Sequence, residues 1–279
     1  NSIRVAQWML QEPGMTAYMG CIGDDAFGKK IQDACKLDGV QAKYLVDKST
    51  PTGKCAVTIL DKERSLTTDL SAANNYKASH LQEPEQMKIL EGAKVVYSAG
   101  FFITVSPESM DIASAKTVAK GTTYCLNLSA PFIVAVPPFR ATLQKLLPVT
   151  DYLFGNETEA RAYAEAVSWD TTDVEFIATR LSLVPTEGGK PPRKVVITQG
   201  ADPTVVAIKG HVTKYPVIAL PKEKLVDTNG AGDAFVGGFL AALVKGKDIE
   251  GCCKAGSYSA SVVIQHSGCT YPAKPDYAF

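Results

Sequence analysis

The chain has 279 residues, 46% of them hydrophobic, and its 29 basic and 29 acidic residues give a formal net charge of zero. This length and apolar content can bury one large core, whereas the balanced charge argues against nucleic acid as a partner. No apolar run approaches the length of a membrane span. The seven cysteines are scattered without a Cys-x-x-Cys pair, which favours reduced thiols in a cytosolic protein over a disulfide framework or a zinc site.

The first part of the chain predicts a helix, a strand and a hairpin. Residues 1–11 have the spacing of an amphipathic helix, and because no initiator methionine precedes them, we expect a segment to be missing before residue 1. Residues 16–23 predict a buried strand, after which Asp24 and Asp25 can cap a helix. Residues 52–71 alternate apolar and polar side chains around a polar turn, which predicts a β-hairpin.

From residue 94 onward, predicted strands alternate with predicted helices. The strands are expected at residues 94–100, 122–127, 151–156 and 194–200. Residues 204–217 predict a further, short β excursion. Such alternation is typical of a mostly parallel sheet with helices on both faces, so the predicted fold class is α/β. Ligands of such sheets gather at the carboxyl ends of the strands.

The most informative stretch is VDTNGAGDAF at residues 226–235, which a helix-forming run follows at once. Its glycines leave backbone amides unscreened at the positive end of a helix dipole, which attracts anions such as phosphate. Asp233 would repel a phosphate there if it were only a ligand, but it can serve as a base that takes a proton from an attacking hydroxyl. Neither a dinucleotide fingerprint nor a Walker loop fits, because Phe235 replaces the third glycine and no Lys-Ser or Lys-Thr follows.

Residues 227–235 resemble the C-terminal signature of the ribokinase-like, or PfkB-type, kinases. The resemblance implies a three-layer α/β fold in which residues 1–279 form a single domain. It also implies that the 52–71 hairpin belongs to a small β-sheet lid over the acceptor substrate. A plain glycine-rich loop that is capped by Asp227 or Thr228 is the alternative interpretation of the motif.

The same resemblance assigns roles around the transferred phosphate. Asp233 is the implied catalytic base, and Arg64 of the hairpin is implied to reach toward the phosphate. The implied anion hole consists of the amides of Gly230, Ala231 and Gly232.

Two further segments are implied to hold the nucleotide and its metal. Asn156 and Glu159 follow a strand and open a helix, where they can form a capping box or hold Mg²⁺ directly or through water; both can be true at once. The resemblance implies ATP as co-substrate and a monovalent cation such as K⁺. Its implied nucleotide contacts are Thr198, Gln199, Gly200, Asp227, Thr228, Asn229 and His266, although a strand end with a glycine turn also explains the first three.

Several segments are similar to the branch of this family whose acceptor is adenosine. They are residues 1–8, 99–108, 127–132, 154–160 and 267–272. That branch implies transfer of the γ-phosphoryl group of ATP to the 5′-hydroxyl of adenosine. A purine needs apolar and aromatic surfaces, although core packing is the commoner role of any single aromatic residue. The implied acceptor contacts are Asn1, Cys55, Leu66, Leu70, Phe101 and Phe132.

Two alternatives stay open at this point. The chain can be another ribokinase-like kinase that acts on a sugar or a different nucleoside, or a truncated nucleoside-binding protein without activity. The expected partners are adenosine and ATP, without nucleic acid or membrane. The resemblance further implies a monomer with a cytoplasmic or nuclear location.

Overall fold

The computed structural model describes the backbone of residues 1–60 and 63–279 and the side chains of residues 1–58 and 67–279. The helices are α1 (Ser2–Leu10), α2 (Ala26–Leu37), α3 (Ala78–Leu81), α4 (Pro84–Gly92), α5 (Pro107–Lys120), α6 (Pro131–Ala135), α7 (Pro137–Leu146), α8 (Glu157–Ala166), α9 (Val174–Leu183), α10 (Ala231–Val244) and α11 (Ile249–Val263). The strands are β1 (Ala17–Gly23), β2 (Gln41–Asp47), β3 (Lys54–Leu60), β4 (Glu63–Asp69), β5 (Val95–Ser98), β6 (Thr123–Asn127), β7 (Tyr152–Asn156), β8 (Lys194–Gln199), β9 (Asp202–Ile208) and β10 (His211–Tyr215). In the described part of the chain, no helix is both long and apolar enough to span a bilayer.

The main sheet has the strand order β10-β9-β8-β7-β6-β5. Strands β5 to β8 run parallel, so their carboxyl ends lie at one edge of the sheet. Strands β9 and β10 extend it as an antiparallel pair, which is the β excursion predicted after residue 204. Strands β1 and β2 form a separate parallel pair, and β3 with β4 forms the hairpin predicted within residues 52–71.

Alternate residues of the central strands pack into two different cores. Leu153 and Val195 face one core, which helices α3 to α9 cover. Phe154 and Val196 face the other, which α1, α10 and α11 cover. Strands that are buried on both faces read as continuous apolar runs, which is why the sequence marks them clearly. The resulting order of helices, sheet and helices confirms the predicted three-layer α/β fold class.

Gly237 lets α1 approach α10 closely. A Cβ at this position would lie 2.5 Å from the Ser2 carbonyl oxygen and 2.7 Å from the Val5 Cβ. Gly237 also lies one helical turn after Asp233 and therefore on the same face of α10. The close packing of these two helices consequently brings the start of α1 to the Asp233 side chain.

Two carboxylates fix the segments that lead into and out of the hairpin. Asp25 caps α2 and accepts hydrogen bonds from the Gly28 amide at 2.8 Å and from the Thr52 amide at 2.8 Å. Asp47 accepts a hydrogen bond from the Asn75 side chain at 2.6 Å. Because Thr52 precedes β3 and Asn75 follows β4, both ends of the hairpin are tied to the β1–α2–β2 unit.

Candidate active site

The glycine motif of residues 226–235 forms the turn that starts α10. Gly230 has φ 87°, in the left-handed region that glycine adopts without strain. The Ala231 amide donates to the Thr228 carbonyl oxygen at 3.2 Å. The amides of Gly232 and Asp233 have no acceptor among the described residues, and a Cβ at Gly232 would meet no atom within 4 Å. This helix start therefore presents open N–H groups, as an anion site requires.

The Asp233 carboxylate is held by the first two residues of the chain. The Asn1 Nδ2 donates to its Oδ2 at 2.9 Å, and the Ser2 Oγ donates to its Oδ1 at 3.1 Å. Asn1 was predicted to contact the acceptor, and here it contacts the predicted base. Ser2 was not predicted, because a serine at the start of an amphipathic helix carries no signal of a partner far along the chain.

The segment before the anion site is tied to the loop after α11. Asp227 is buried, and its carboxylate accepts hydrogen bonds from the Asn229 amide at 2.7 Å and the Gly268 amide at 2.9 Å. Thr228 is exposed beside them, as is His266 in the loop after α11. Four of the residues predicted to contact the nucleotide thus lie on two segments that Asp227 joins.

The remaining predicted nucleotide residues lie at the carboxyl ends of the parallel strands. Thr198 is the register partner of Asn156, so the two sit side by side on β8 and β7. The Gln199 side chain donates to the Pro203 carbonyl oxygen at 2.8 Å. Gly200 is exposed and has φ 59°, which allows the chain to reverse into β9.

Asn156 and Glu159 form the capping box that was predicted as one of their two roles. Asn156 Oδ1 accepts from the Glu159 amide at 2.8 Å, while the Asn156 amide and Nδ2 each donate to a different Glu159 carboxylate oxygen at 3.0 Å. Glu159 is buried, and this burial raises its pKa.

The same bonds decide how the pair can serve a metal ion. Both Glu159 oxygens and the Asn156 oxygen already have protein partners. No group of three or more His, Cys, Asp or Glu side chains in the described ranges is placed to hold a metal. Because these oxygens are already engaged in the capping box, the arrangement favours contact with Mg²⁺ through water over direct coordination.

Two phenylalanines lie exposed beyond neighbouring strands of the sheet. Phe101 follows β5 and is 51% exposed, and Phe132 follows β6 and is 47% exposed. Their ring centroids are 6.1 Å apart with a 45° angle between the planes. Phe139 packs edge-on against Phe132. Adjacent aromatic side chains that are half in solvent provide the apolar surface that a purine ring requires.

The hairpin carries the other predicted acceptor contacts. Cys55 on β3 is exposed, and Leu70, just after β4, is also exposed. Leu66 and Arg64 belong to β4, but their side chains lie outside the described residues.

The motif, the site and the fold have counterparts in known proteins. The profile of the family described as pfkB family carbohydrate kinase matches residues 1–276. The chain belongs to this family. Membership confirms the ribokinase-like fold and the kinase class that residues 227–235 predicted.

The relatives and structures similar to this pfkB-family chain include several adenosine kinases. The chain is 56% identical to adenosine kinase 1 of Arabidopsis thaliana over 277 residues, which are 99% of this chain and 80% of that relative. Anopheles gambiae adenosine kinase in complex with P1,P4-di(adenosine-5) tetraphosphate has a TM-score of 0.94 and 42% identity, over 99% of this chain and 81% of that one. Schistosoma mansoni adenosine kinase in complex with adenosine and AMP has a TM-score of 0.90 and 30% identity, over 99% of this chain and 80% of that one.

Proposed function

We propose that this chain transfers the γ-phosphoryl group of ATP to the 5′-hydroxyl of adenosine, giving AMP and ADP. The observation that carries the proposal is the Asp233 carboxylate in the first turn of α10, beside the open amides of its own residue and Gly232. A carboxylate at an anion site suits proton transfer from an acceptor alcohol. The 56% identity to an adenosine kinase and the solved relative that holds adenosine and AMP support adenosine as the acceptor.

In this mechanism Asp233 takes the proton of the 5′-hydroxyl while that oxygen attacks the γ-phosphorus in line. The bond from the γ-phosphorus to the bridging oxygen breaks, and ADP leaves with the electron pair. The anion hole of Gly230, Ala231 and Gly232 stabilises the charge on the transferring group, with the open amide of Gly232 as its principal donor. Arg64 is proposed to add a positive charge from the hairpin.

The acceptor would lie between the hairpin and the carboxyl end of the sheet. Phe101 is proposed to stack on the adenine, with Phe132 beside it. Asn1 is proposed to donate to a ribose hydroxyl, which places the sugar next to Asp233 because Asn1 already contacts that carboxylate. The hairpin residues Cys55, Leu66 and Leu70 would cover the base and exclude water from the site, which suppresses hydrolysis of ATP.

ATP is proposed to bind as its Mg²⁺ complex along the strand ends and the loop after α11. Its proposed contacts are Thr198, Gln199, Gly200, Asp227, Thr228, Asn229 and His266. Asn156 and Glu159, which are hydrogen-bonded to each other, would contact the ion through water. When bound, Mg²⁺ supplies charge neutralisation on the phosphates. K⁺ is also proposed to bind near the loop after α11.

The proposal also covers the domain organisation, the compartment and the oligomeric state of the enzyme. Residues 1–279 act as one ribokinase-like domain in which residues 52–71 contribute to the lid. All seven cysteines have free thiols, which supports a reducing compartment, cytoplasmic or nuclear. The protein is proposed to act as a monomer.

An acceptor panel with γ-labelled ATP tests the proposal. Adenosine, inosine, guanosine, ribose and fructose 6-phosphate would be offered separately, and products resolved by chromatography. The proposal predicts labelled 5′-AMP with adenosine as the best acceptor. A labelled sugar phosphate as the main product would favour another kinase of the family. Adenosine binding without any labelled product would favour a non-catalytic nucleoside-binding protein.

A further inference from the structure

Ser2 contacts the proposed base from a buried position. It is only 7% exposed, and its Oγ donates to the Asp233 Oδ1 at 3.1 Å. Its backbone packs on Gly237, one turn further along α10. Backbone packing and the side-chain hydrogen bond therefore attach Ser2 to the same face of the helix that carries Asp233.

Tyr97, near the end of β5, lies beside Ser2 and Asp233. Its hydroxyl oxygen accepts a hydrogen bond from the Asn127 Nδ2 at 3.2 Å. Burial, followed by the negative charge of Asp233, raises the pKa of the Tyr97 hydroxyl, so Tyr97 stays neutral beside the carboxylate at neutral pH.

The direction of the bond to the carboxylate follows from its chemistry. An ionised carboxylate only accepts, so the single Ser2 hydroxyl proton goes to Asp233. A hydrogen bond to a charged acceptor is stronger than one between neutral groups, which holds the carboxylate in place.

We propose that Ser2 is a positioning residue for Asp233. The inference rests on the proposed function, because it assigns Ser2 to the base of that reaction. Ser2 fixes the Oδ1 oxygen of the carboxylate from α1, and Oδ2, on the Asn1 side, takes the proton of the acceptor. Without Ser2 the carboxylate can rotate about its χ angles, and the fraction of productive geometries falls.

A chain of hydrogen bonds leads from Tyr97 toward the aromatic site. Asn127, which donates to Tyr97, accepts at its Oδ1 from the Ser129 amide at 2.9 Å, and the Ser129 Oγ accepts from the Gly100 amide at 2.8 Å. Gly100 immediately precedes Phe101, so the proposed adenine contact is anchored to polar residues at the ends of β5 and β6.

Steady-state kinetics of Ser2→Ala test the proposal against a matched variant. The control is Ser259→Ala, because Ser259 is also buried against α10 and its hydroxyl has no partner among the described residues. We expect Ser2→Ala to lower kcat about 10- to 100-fold, with KM values for both substrates and Tm close to those of the control. Ser2→Thr keeps the hydroxyl and should recover most of the lost kcat.

A Ser2→Ala kcat equal to that of the control would overturn the inference while the proposed function stands. A large fall in Tm with parallel changes in KM would show that Ser2 only contributes to packing, and this result would also overturn the inference. Wild-type protein that forms no AMP would instead defeat the proposed function.

Discussion

The Asp227 carboxylate and the Gly268 amide are hydrogen-bonded at 2.9 Å, although 41 positions separate them in the chain. The other Asp227 oxygen accepts from the Asn229 amide at 2.7 Å. A further pair of bonds runs from the amides of Val226 and Asp227 to the Ile264 carbonyl oxygen. One buried acid therefore sets the position of the loop after α11 relative to the glycine motif, the two segments proposed to hold ATP.

Asp227→Asn should weaken ATP binding more than adenosine binding. The amide group of asparagine brings a donor where two backbone N–H groups need acceptors, and hydrogen bonds to a charged group contribute about 1.5–3 kcal/mol. We expect KM for ATP to rise about tenfold or more, with KM for adenosine within about twofold of wild type. Asp170→Asn, which removes an exposed carboxylate on the surface, serves as the control for lost charge. Equal changes in both KM values would contradict the prediction that Asp227 affects ATP binding more than adenosine binding.

Phe101→Ala should impair adenosine binding. Stacking of a base on an aromatic side chain contributes about 1–3 kcal/mol, so KM for adenosine should rise about 10- to 100-fold. Phe101→Trp keeps an aromatic face and should retain much of the affinity. Phe176→Ala is the matched control, because Phe176 is 48% exposed on α9. An adenosine KM that stays at the value of this control would remove Phe101 from the acceptor site.

Gly237→Ala should destabilise the protein and separate Ser2 from Asp233. The new Cβ would meet the Ser2 carbonyl oxygen at 2.5 Å, so α1 must shift. Overpacking of this kind costs about 1–3 kcal/mol in the free energy of unfolding. Gly92→Ala is the control, since a Cβ there meets no atom within 4 Å. Urea denaturation of both variants measures the difference, and equal stability would show that α1 and α10 do not pack as closely as described.

Asp25 should make the free energy of unfolding depend on pH in the acidic range. Hydrogen bonds from the Thr52 amide, then from the Gly28 amide and the Thr52 hydroxyl, lower the pKa of its carboxyl to about 2. Because the unfolded value is about 3.9, the ionised form is favoured in the folded state. Its stabilisation is fully present above about pH 4 and is lost as the pH falls through about 2.

The measurement is the difference in free energy of unfolding between wild type and Asp25→Asn across this pH range. We expect a difference at pH 6 that shrinks progressively between about pH 4 and pH 2. Asp24→Asn, which changes the neighbouring exposed carboxylate, serves as the control for lost charge. A difference for Asp25→Asn that stays constant with pH would mean that the charge of the cap does not stabilise the end of the hairpin.

Local patterns predicted the elements well, because their signals come from neighbours in the chain. The apolar run at residues 194–200 became β8, and the Asn156–Glu159 spacing produced the capping box. Contacts across the fold left no such signal. The bond from Ser2 to Asp233 joins residues 231 positions apart, and it depends on how α1 packs on α10, which no local pattern encodes.

The site itself was predicted in part for the same reason. The motif at residues 226–235 identified Asp233 and the amides, because a glycine turn and a helix start are adjacent in sequence. The metal role of Glu159 could not be separated from capping, since both require the same residues at the same spacing. The geometry, with both carboxylate oxygens bonded to Asn156, shows the capping box and favours a metal role through water.

Single-turnover phosphorylation of adenosine by Asp233→Ala tests the central claim most directly. The account predicts that this variant binds adenosine with near wild-type affinity but transfers the γ-phosphoryl group at least about 10³-fold more slowly. Asp170→Asn, measured in parallel, should match the wild-type rate. A transfer rate for Asp233→Ala close to that of wild type would contradict the assignment of this carboxylate as the base.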